Sequence, residues 1–338
     1  MFCLIWIAFF ALLYLTIPRG YYTTGGYDVY HELNERLMSG GISGNILIGD
    51  SKSEWGINAK YLHALNFSLG GAGPIEGYYE ARQLIQNKKN KIDTLFISYG
   101  MVHLISQNTF YSYSYYYNFF PGTYLDSARQ IAIQSNDSNY DIKKSIFSSP
   151  LDQLINKPSV SAKIFRFQEF VLGGLNNILK YLYKMKTGQL VKGDNQFVNG
   201  RLTTLASDTL KFRRTNETAM PDEDLINVKP SAVDTIYLKK MVKLAEAHHV
   251  KVIFIFMPSP ESKISALIKD QLADLHSTFP NNLLYDTSAY SDNYFRDNLG
   301  HLNADGVNKF QVFLKKNLYD PKSVSQSVPS SAKNNNIR

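Results

Sequence analysis

The segment "VKVIFIFMP" (residues 250–258) is an almost unbroken run of apolar residues in which only Lys251 is charged. Short runs of this kind, rich in β-branched and aromatic residues, are typical of strands that are covered on both faces. Such strands occur in parallel sheets packed between helices. The segment therefore predicts an α/β fold, provided that further strands and helices alternate along the chain.

That alternation is present on both sides of the segment. Four more stretches have the composition of short strands: "NILIG" (45–49), "ALNFSLGGAG" (64–73), "DTLFISYG" (93–100) and "NLLYD" (282–286). Stretches with apolar residues at helical spacing begin at Pro74, Ser231, Ser259 and Asn303, which are residue types suited to helix starts. We therefore predict about five parallel strands between two helical layers, with any ligand at the carboxyl ends of the strands.

The N-terminal segment has a different character. Residues 1–17 carry no charged side chain, and Pro18 and Arg19 then end the apolar run. This length is at the lower limit for a membrane-spanning helix, roughly 17 residues. We predict an uncleaved membrane anchor over residues 1–18 and a connector over 19–43. A cleaved signal peptide is the alternative, although neither a basic start nor a small-x-small cleavage site is evident.

A long interval separates the third and fourth predicted strands, far longer than an ordinary connection. It contains the aromatic stretch "FYSYSYYYNFFPGTY" (110–124) and a segment typical of an amphipathic helix (163–186). It is either a mostly helical subdomain with its own small core or a lid or substrate platform. The predicted division after the connector is an α/β domain in two parts (44–104 and 231–320), an insertion (105–230) and a disordered tail (321–338).

Composition restricts the possible partners and cofactors. The formal net charge of +7 suggests anionic surroundings such as a membrane face or acidic glycans, and no basic run is dense enough to indicate nucleic acid. Cys3 is the only cysteine, so an intrachain disulfide and a thiolate metal cluster are both impossible. There is no paired-histidine metal motif, and "GGAG" lacks the rest of a dinucleotide or phosphate-binding fingerprint. We predict no metal and no cofactor.

Ser51 is the first candidate catalytic residue. In "NILIGDSKSEWGIN" (45–58) it directly follows a predicted strand and a Gly-Asp pair, which places its hydroxyl at the carboxyl edge of the sheet. Backbone N–H groups at such a position can stabilise an oxyanion. Asp and Ser are also common in turns and helix caps, so this motif alone is compatible with an ordinary turn.

A serine nucleophile requires a base, and His301 is the best placed of the seven histidines. It lies in "YFRDNLGHLNADG" (294–306), between the fifth predicted strand and the last predicted helix. Asp297, four residues earlier, is close enough in sequence to orient the imidazole. Taken alone, the segment is equally compatible with a loop before a capped helix.

Three motifs together resemble the conserved blocks of the SGNH (GDSL-like) hydrolase and acyltransferase superfamily: "IGDSKSEWG", "NFSLGGAG" and "DNLGHLNADG". The resemblance spans about residues 44–104 and 231–318 and implies a three-layer, flavodoxin-like α/β/α domain. It implies that Ser51 is the nucleophile and that Asp297 and His301 complete a catalytic triad. It also implies an oxyanion hole formed by the amides of Ser51 and of Gly70 or Gly71.

Two positions depart from the family pattern. The third block normally presents an asparagine as an oxyanion donor, and "YGMVHL" has Val102 there. The hole would then rest on the amides of Ser51 and a second-block glycine, unless His103 or a residue of the insertion contributes. The usual Asp-x-x-His spacing is one residue longer here, which leaves Asp292 as a rival to Asp297.

Similar proteins with an N-terminal anchor and a large insertion are often extracytoplasmic enzymes that add or remove acyl groups, commonly acetyl, on cell-surface polysaccharides. The resemblance thus implies an esterase or O-acyltransferase of the cell envelope. Two alternatives remain: a non-catalytic, membrane-anchored module that binds glycan or recruits a membrane-bound acyltransferase, and a lipid esterase that reaches the bilayer through its basic aromatic helix.

Overall fold

A computed structural model describes the protein in four long ranges and several shorter pieces. The long ranges are residues 26–100, 122–137, 231–259 and 300–319. The shorter pieces are residues 5, 6, 8, 9, 11, 12, 119, 186, 197, 198, 201, 202, 277, 283–286, 288 and 290–295.

Five parallel strands form the central sheet. The described residues contain these five and two further strands: β1 (Ser43–Gly49), β2 (Ala64–Asn66), β3 (Lys91–Ser98), β4 (Phe197–Val198), β5 (Arg201–Leu202), β6 (Lys251–Phe256) and β7 (Leu283–Tyr285). The sheet has the order β2-β1-β3-β6-β7, and all four of its pairings are parallel. β4 and β5 pair with each other in a separate antiparallel hairpin. The order of the five sheet strands is that of flavodoxin-like, doubly wound sheets.

Among the described residues, six helices with complete bounds and two short 3₁₀ turns accompany the strands. They are α1 (Gly26–Ser39), α2 (Ser51–Gly56), α3 (Pro74–Gln86), α4 (Gly122–Ser135), α5 (Ala232–Ala247) and α6 (Ala304–Tyr319), with 3₁₀ turns at Ala59–Leu62 and Asp292–Tyr294. The predicted helix starts are confirmed at Pro74 and at Ser231, whose hydroxyl accepts a hydrogen bond from the Asp234 amide. Asn303 caps α6 by accepting from the Gly306 amide. The helix predicted from Ser259 lies outside the described residues.

Each face of the sheet has its own hydrophobic core, because successive side chains of a strand point to opposite faces. Within β1, Ile46 and Ile48 join one core and Leu47 joins the other. The larger core packs against α1, α3 and α5, and the smaller one against α6 and the Ala59–Leu62 turn. Both faces are therefore covered, which confirms the predicted layer of helices on each side of a parallel sheet.

The second strand ends earlier than predicted. The sequence suggested a strand over 64–73, whereas β2 ends at Asn66. The backbone still bonds to β1 beyond that point, since the Phe67 and Leu69 amides donate to β1 carbonyls at 2.7 and 2.9 Å. It then turns at Gly71, whose φ of 75° is accessible to glycine at little cost.

The predicted connector contributes to the fold. Most of it forms α1, and Tyr30, Leu33 and Leu37 of this helix are buried in the larger core. α1 therefore packs as part of the α/β domain.

Other predicted segments lie mainly outside the described residues. Of residues 1–18, only six are described, and these are helical. No helix in the described part of the chain combines the length and the apolar character needed to cross a bilayer. Within the insertion, the structure describes α4, the β4–β5 hairpin and isolated residues, whereas the predicted amphipathic helix and the C-terminal tail are outside it, apart from Lys186.

Candidate active site

The candidate site lies where the strand order reverses. From β1 the chain passes to β2 at one edge of the sheet and then returns to β3 on the other side of β1. Ligands of doubly wound sheets bind at the carboxyl ends of the strands that flank such a point. Ser51 follows β1 directly, and Gly100 follows β3.

The turn after β1 is tightly packed against β3. A Cβ on Gly49 would collide with the Ser98 carbonyl oxygen and with the Ser53 hydroxyl. The Ser53 hydroxyl lies within hydrogen-bond distance of the carbonyl oxygens of Asp50 (2.8 Å) and Ser98 (3.0 Å). Only glycine fits at position 49, and its lack of a side chain lets the ends of β1 and β3 lie close together.

Asp50 holds the start of α2 and the end of β3 together. One oxygen of its carboxylate accepts hydrogen bonds from the amides of Lys52 and Ser53, which caps α2. The other oxygen accepts a 2.6 Å hydrogen bond from the Gly100 amide. The side chain is fully buried, and these three N–H groups compensate for the loss of water around it. Ser51 lies in the chain between Asp50 and Lys52, so these hydrogen bonds fix its position.

The structure brings Ser51 and His301 together, as predicted. The Ser51 hydroxyl oxygen lies 2.8 Å from Nε2 of His301, although the two residues are 250 positions apart in the chain. His301 is 6% exposed, and it follows Gly300, which has a φ of 84°. A hydroxyl and an imidazole at this distance have the geometry that general-base activation of a serine requires.

The His301 loop is fixed on both sides of the histidine. Leu302 forms an isolated antiparallel bridge with Phe295. The Asn303 amide donates to the Tyr294 carbonyl at 2.9 Å, and the Asn303 side chain caps α6. The short backbone segment around the imidazole is thus anchored to the preceding 3₁₀ turn and to the last helix.

Trp55 packs against the candidate base. It lies one helical turn after Ser51 on α2, and residues four apart share a face of a helix. Its ring centroid is 4.8 Å from that of His301, with the planes tilted by 37°. The half-buried indole therefore restricts the rotation of the imidazole.

The glycine turn after β2 lies beside Ser51. A Cβ on Gly70 would lie 3.8 Å from Ser51 Cβ and 3.2 Å from Glu54 Oε2. The amide N–H groups of Ser51, Gly70 and Gly71 donate no hydrogen bond within the part of the chain that the structure describes. Unpaired backbone donors next to a nucleophile are what an oxyanion hole requires.

Two charged side chains flank the site in buried positions. Lys52 and Glu54 are each 5% exposed. The end of the Lys52 side chain packs against Gly100, and Glu54 Oε2 lies against Gly70. Charged side chains are rarely buried to this extent unless they are paired or functional. Sequence reasoning missed both, because a helix of only six residues shows no recognisable periodicity.

The remaining predicted site residues are placed only in part. Asp297, Val102 and His103 lie outside the described residues. Asp292 is exposed in the 3₁₀ turn, whereas the orienting carboxylate of a serine triad is buried. Asp297 therefore stays the predicted orienting residue. Among the described residues, no group of three or more His, Cys, Asp or Glu side chains is arranged to hold a metal ion.

No protein-family model matches this chain, and no curated protein matches it at a significant level. The resemblance to SGNH enzymes therefore rests on the three motifs. The geometry around Ser51 provides independent physical grounds for considering the same chemistry.

Proposed function

We propose that this protein is a serine-dependent acyl ester hydrolase or O-acyltransferase of the SGNH type that works through an acyl-Ser51 intermediate. The main support is the 2.8 Å contact between Ser51 Oγ and His301 Nε2. The two residues come from motifs at opposite ends of the chain, and they meet at the carboxyl edge of the sheet. The amides of Ser51, Gly70 and Gly71, which donate no hydrogen bond within the described residues, add further support.

The reaction begins with proton transfer from Ser51 to His301. As Nε2 takes the proton, Oγ attacks the ester carbonyl carbon, and the resulting oxyanion accepts hydrogen bonds from the amides of Ser51 and of Gly70 or Gly71. The bond to the leaving oxygen then breaks, and His301 returns the proton to the departing alcohol. Water or an acceptor hydroxyl next attacks the acyl-serine, His301 takes its proton, and Ser51 is released with its own proton restored.

The proposed substrate is an acylated, commonly acetylated, cell-surface polysaccharide or envelope glycan. In this proposal residues 1–18 anchor the protein in the membrane with the domain on the extracytoplasmic side. The net charge of +7 suits an anionic glycan or membrane surface. The aromatic insertion would provide an acceptor groove, and a membrane-bound acyltransferase would be the partner that supplies acyl groups.

A non-catalytic glycan-binding or acyltransferase-recruiting module is the second candidate. Val102, at the position of the usual asparagine donor, favours it. Loss of one oxyanion donor typically costs about a hundredfold to a thousandfold in rate. The remaining backbone donors and the Ser51–His301 contact favour the enzyme.

Labelling by a serine-reactive fluorophosphonate tests the proposal. We expect the full chain to be labelled and the Ser51→Ala variant not to be. Ser39→Ala, which removes an exposed hydroxyl on α1, is the matched control and should be labelled like the wild type. Absence of labelling in a folded wild-type protein would favour the non-catalytic module.

Substrate tests separate the remaining alternatives. Surface glycan from cells that carry Ser51→Ala at normal protein level should differ in acyl content from that of wild-type cells, and an unchanged content would contradict the catalytic proposal. Faster hydrolysis of long-chain than of acetyl esters would instead indicate a lipid esterase.

A further inference from the structure

The hydroxyl of Tyr30 reaches the glycine turn beside Ser51. It donates a hydrogen bond of 3.2 Å to the carbonyl oxygen of Gly70. Tyr30 belongs to α1, which precedes all three motifs, and it is 3% exposed. A side chain from outside the motif-bearing segments thus contacts the backbone of the proposed oxyanion hole.

This contact bears directly on the next amide along the chain. The carbonyl of Gly70 and the N–H of Gly71 belong to one planar peptide unit, in which they point in opposite directions. A hydrogen bond that fixes the oxygen therefore also fixes the direction of the N–H. Such a restraint is needed here, because two consecutive glycines have unusually wide backbone freedom.

The Gly71 amide donates no hydrogen bond within the described part of the chain, so no bond of its own fixes its direction there. Gly71 also has a φ of 75°, in the left-handed region. Nearby backbone bonds hold the turn at its two ends, from Leu69 to Gly49 and from Ala72 to Leu69. Between these ends, the hydrogen bond from Tyr30 restrains the Gly70–Gly71 peptide.

We propose that Tyr30 is a positioning residue that sets the direction of the Gly71 N–H as an oxyanion donor. The inference rests on the proposed function and deepens it, since it makes α1 part of the catalytic apparatus. A donor held in place by a buried side chain needs no reorganisation when the oxyanion forms. This support is valuable in a site that lacks the usual asparagine donor.

Tyr79 provides a closely matched control. Both tyrosines are 3% exposed, and both pack edge-on against Phe119, with ring centroids 5.2 Å away for Tyr30 and 5.3 Å for Tyr79. Each hydroxyl makes a 3.2 Å hydrogen bond, but that of Tyr79 goes to the side chain of Asn34. Replacing either tyrosine by phenylalanine removes one oxygen from the same aromatic cluster, and only Tyr30→Phe releases Gly70.

The experiment compares Tyr30→Phe and Tyr79→Phe in the full chain. An oxyanion donor acts in the transition state, so we expect Tyr30→Phe to lower kcat for acetyl ester hydrolysis by about tenfold with little change in KM. Fluorophosphonate labelling should slow by a similar factor. Tyr79→Phe should keep the wild-type kcat, KM and labelling rate.

A second measurement reports on the turn without any catalysis. With selective ¹⁵N-glycine labelling, only the 21 glycines contribute amide signals. We expect Tyr30→Phe to shift the Gly71 amide resonance and to speed its hydrogen exchange, and Tyr79→Phe to leave both at the wild-type values.

The outcomes separate this proposal from the proposed function. If the wild type is labelled at Ser51 but Tyr30→Phe behaves like Tyr79→Phe in rate and in the Gly71 signal, the role of Tyr30 is refuted and the enzyme remains. If the wild type is not labelled at all, the proposed function fails and with it the oxyanion role of Tyr30, and the Gly71 signal then shows only whether Tyr30 orients the turn. An equal drop in kcat in both variants would reveal a general packing effect and overturn the proposal.

Discussion

The carboxylate of Asp50 and the amide of Gly100 are joined by a 2.6 Å hydrogen bond that links the carboxyl ends of β1 and β3. The same carboxylate caps α2, the helix that begins with Ser51. A residue that looks like an ordinary turn former in the sequence therefore controls the position of the candidate nucleophile.

Replacement of Asp50 by alanine should be strongly destabilising. It removes a helix cap worth about 1 kcal/mol and leaves the buried Gly100 amide without an acceptor, at a further cost of about 1–3 kcal/mol. We expect a total loss of about 2–4 kcal/mol in the free energy of unfolding, measured by urea titration. Asn58→Ala, which removes a cap from one exposed amide, is the control and should cost much less. Equal losses in the two variants would show that the hydrogen bond between Asp50 and the Gly100 amide does not stabilise the fold.

Trp55 should matter for catalysis through its contact with His301. Trp55→Leu removes the flat surface that restricts the imidazole, and Trp55→Phe retains an aromatic ring. Since small misplacements of a catalytic group can cost up to about a hundredfold in rate, we expect Trp55→Leu to slow fluorophosphonate labelling by about ten- to a hundredfold. Trp55→Phe should recover most of the wild-type rate. A wild-type rate in Trp55→Leu would mean that the loop alone orients His301.

A pair of conservative variants can identify the carboxylate that orients His301. Asp297→Asn should lower kcat by about 10³- to 10⁴-fold while leaving the fold intact, as loss of the orienting carboxylate does in serine triads. Asp292→Asn changes an exposed side chain and should stay close to wild type. Ester hydrolysis and circular dichroism together provide the measurement. The reverse ranking would assign the role to Asp292.

Glu80 should make stability depend on pH. Its carboxyl group is fully buried, and neither oxygen has a hydrogen-bond partner in the described structure. Burial, followed by the nearby charge of Glu76, raises the pKa of Glu80 well above its ordinary value. The folded state therefore holds this proton more tightly than the unfolded chain does, so the contribution of Glu80 to stability is fully present at acid pH and falls as pH rises from the unfolded pKa towards the folded one.

Glu80→Gln tests this dependence, because glutamine does not titrate. Urea unfolding at a series of pH values should show a smaller decline with rising pH in the variant, and a higher stability than wild type near neutral pH. The difference between the two curves should grow by at most about 1.4 kcal/mol per pH unit. Parallel curves would mean that Glu80 does not control the pH dependence.

The central layer of the fold could be predicted from local patterns. Apolar runs such as 250–258 are long enough and sufficiently rich in β-branched residues to indicate strands buried on both faces. The early end of β2 could not be read in this way, since residues 67–69 continue to bond to β1 and only the geometry of the glycine turn ends the strand. The strand order depends on contacts between distant segments, which local periodicity does not encode.

The site was predictable where a motif places a chemically distinctive residue at a strand end. Ser51 and His301 were found in this way, and their contact follows from the topology. Tyr30 was not found, because a tyrosine on the buried side of a helix looks like any core residue until its hydroxyl is seen to reach Gly70. Trp55 had one usable signal, its position four residues after Ser51, which is one turn along α2.

The packing of α1 affects how the protein should be shortened for laboratory work. Cutting at residue 44, where the motifs begin, would discard Leu33 and Leu37 from the larger core and Tyr30 from the glycine turn. Such a fragment would expose apolar surface and tend to aggregate, and its inactivity would say nothing about Ser51. An expression boundary ahead of Gly26 keeps the whole of α1.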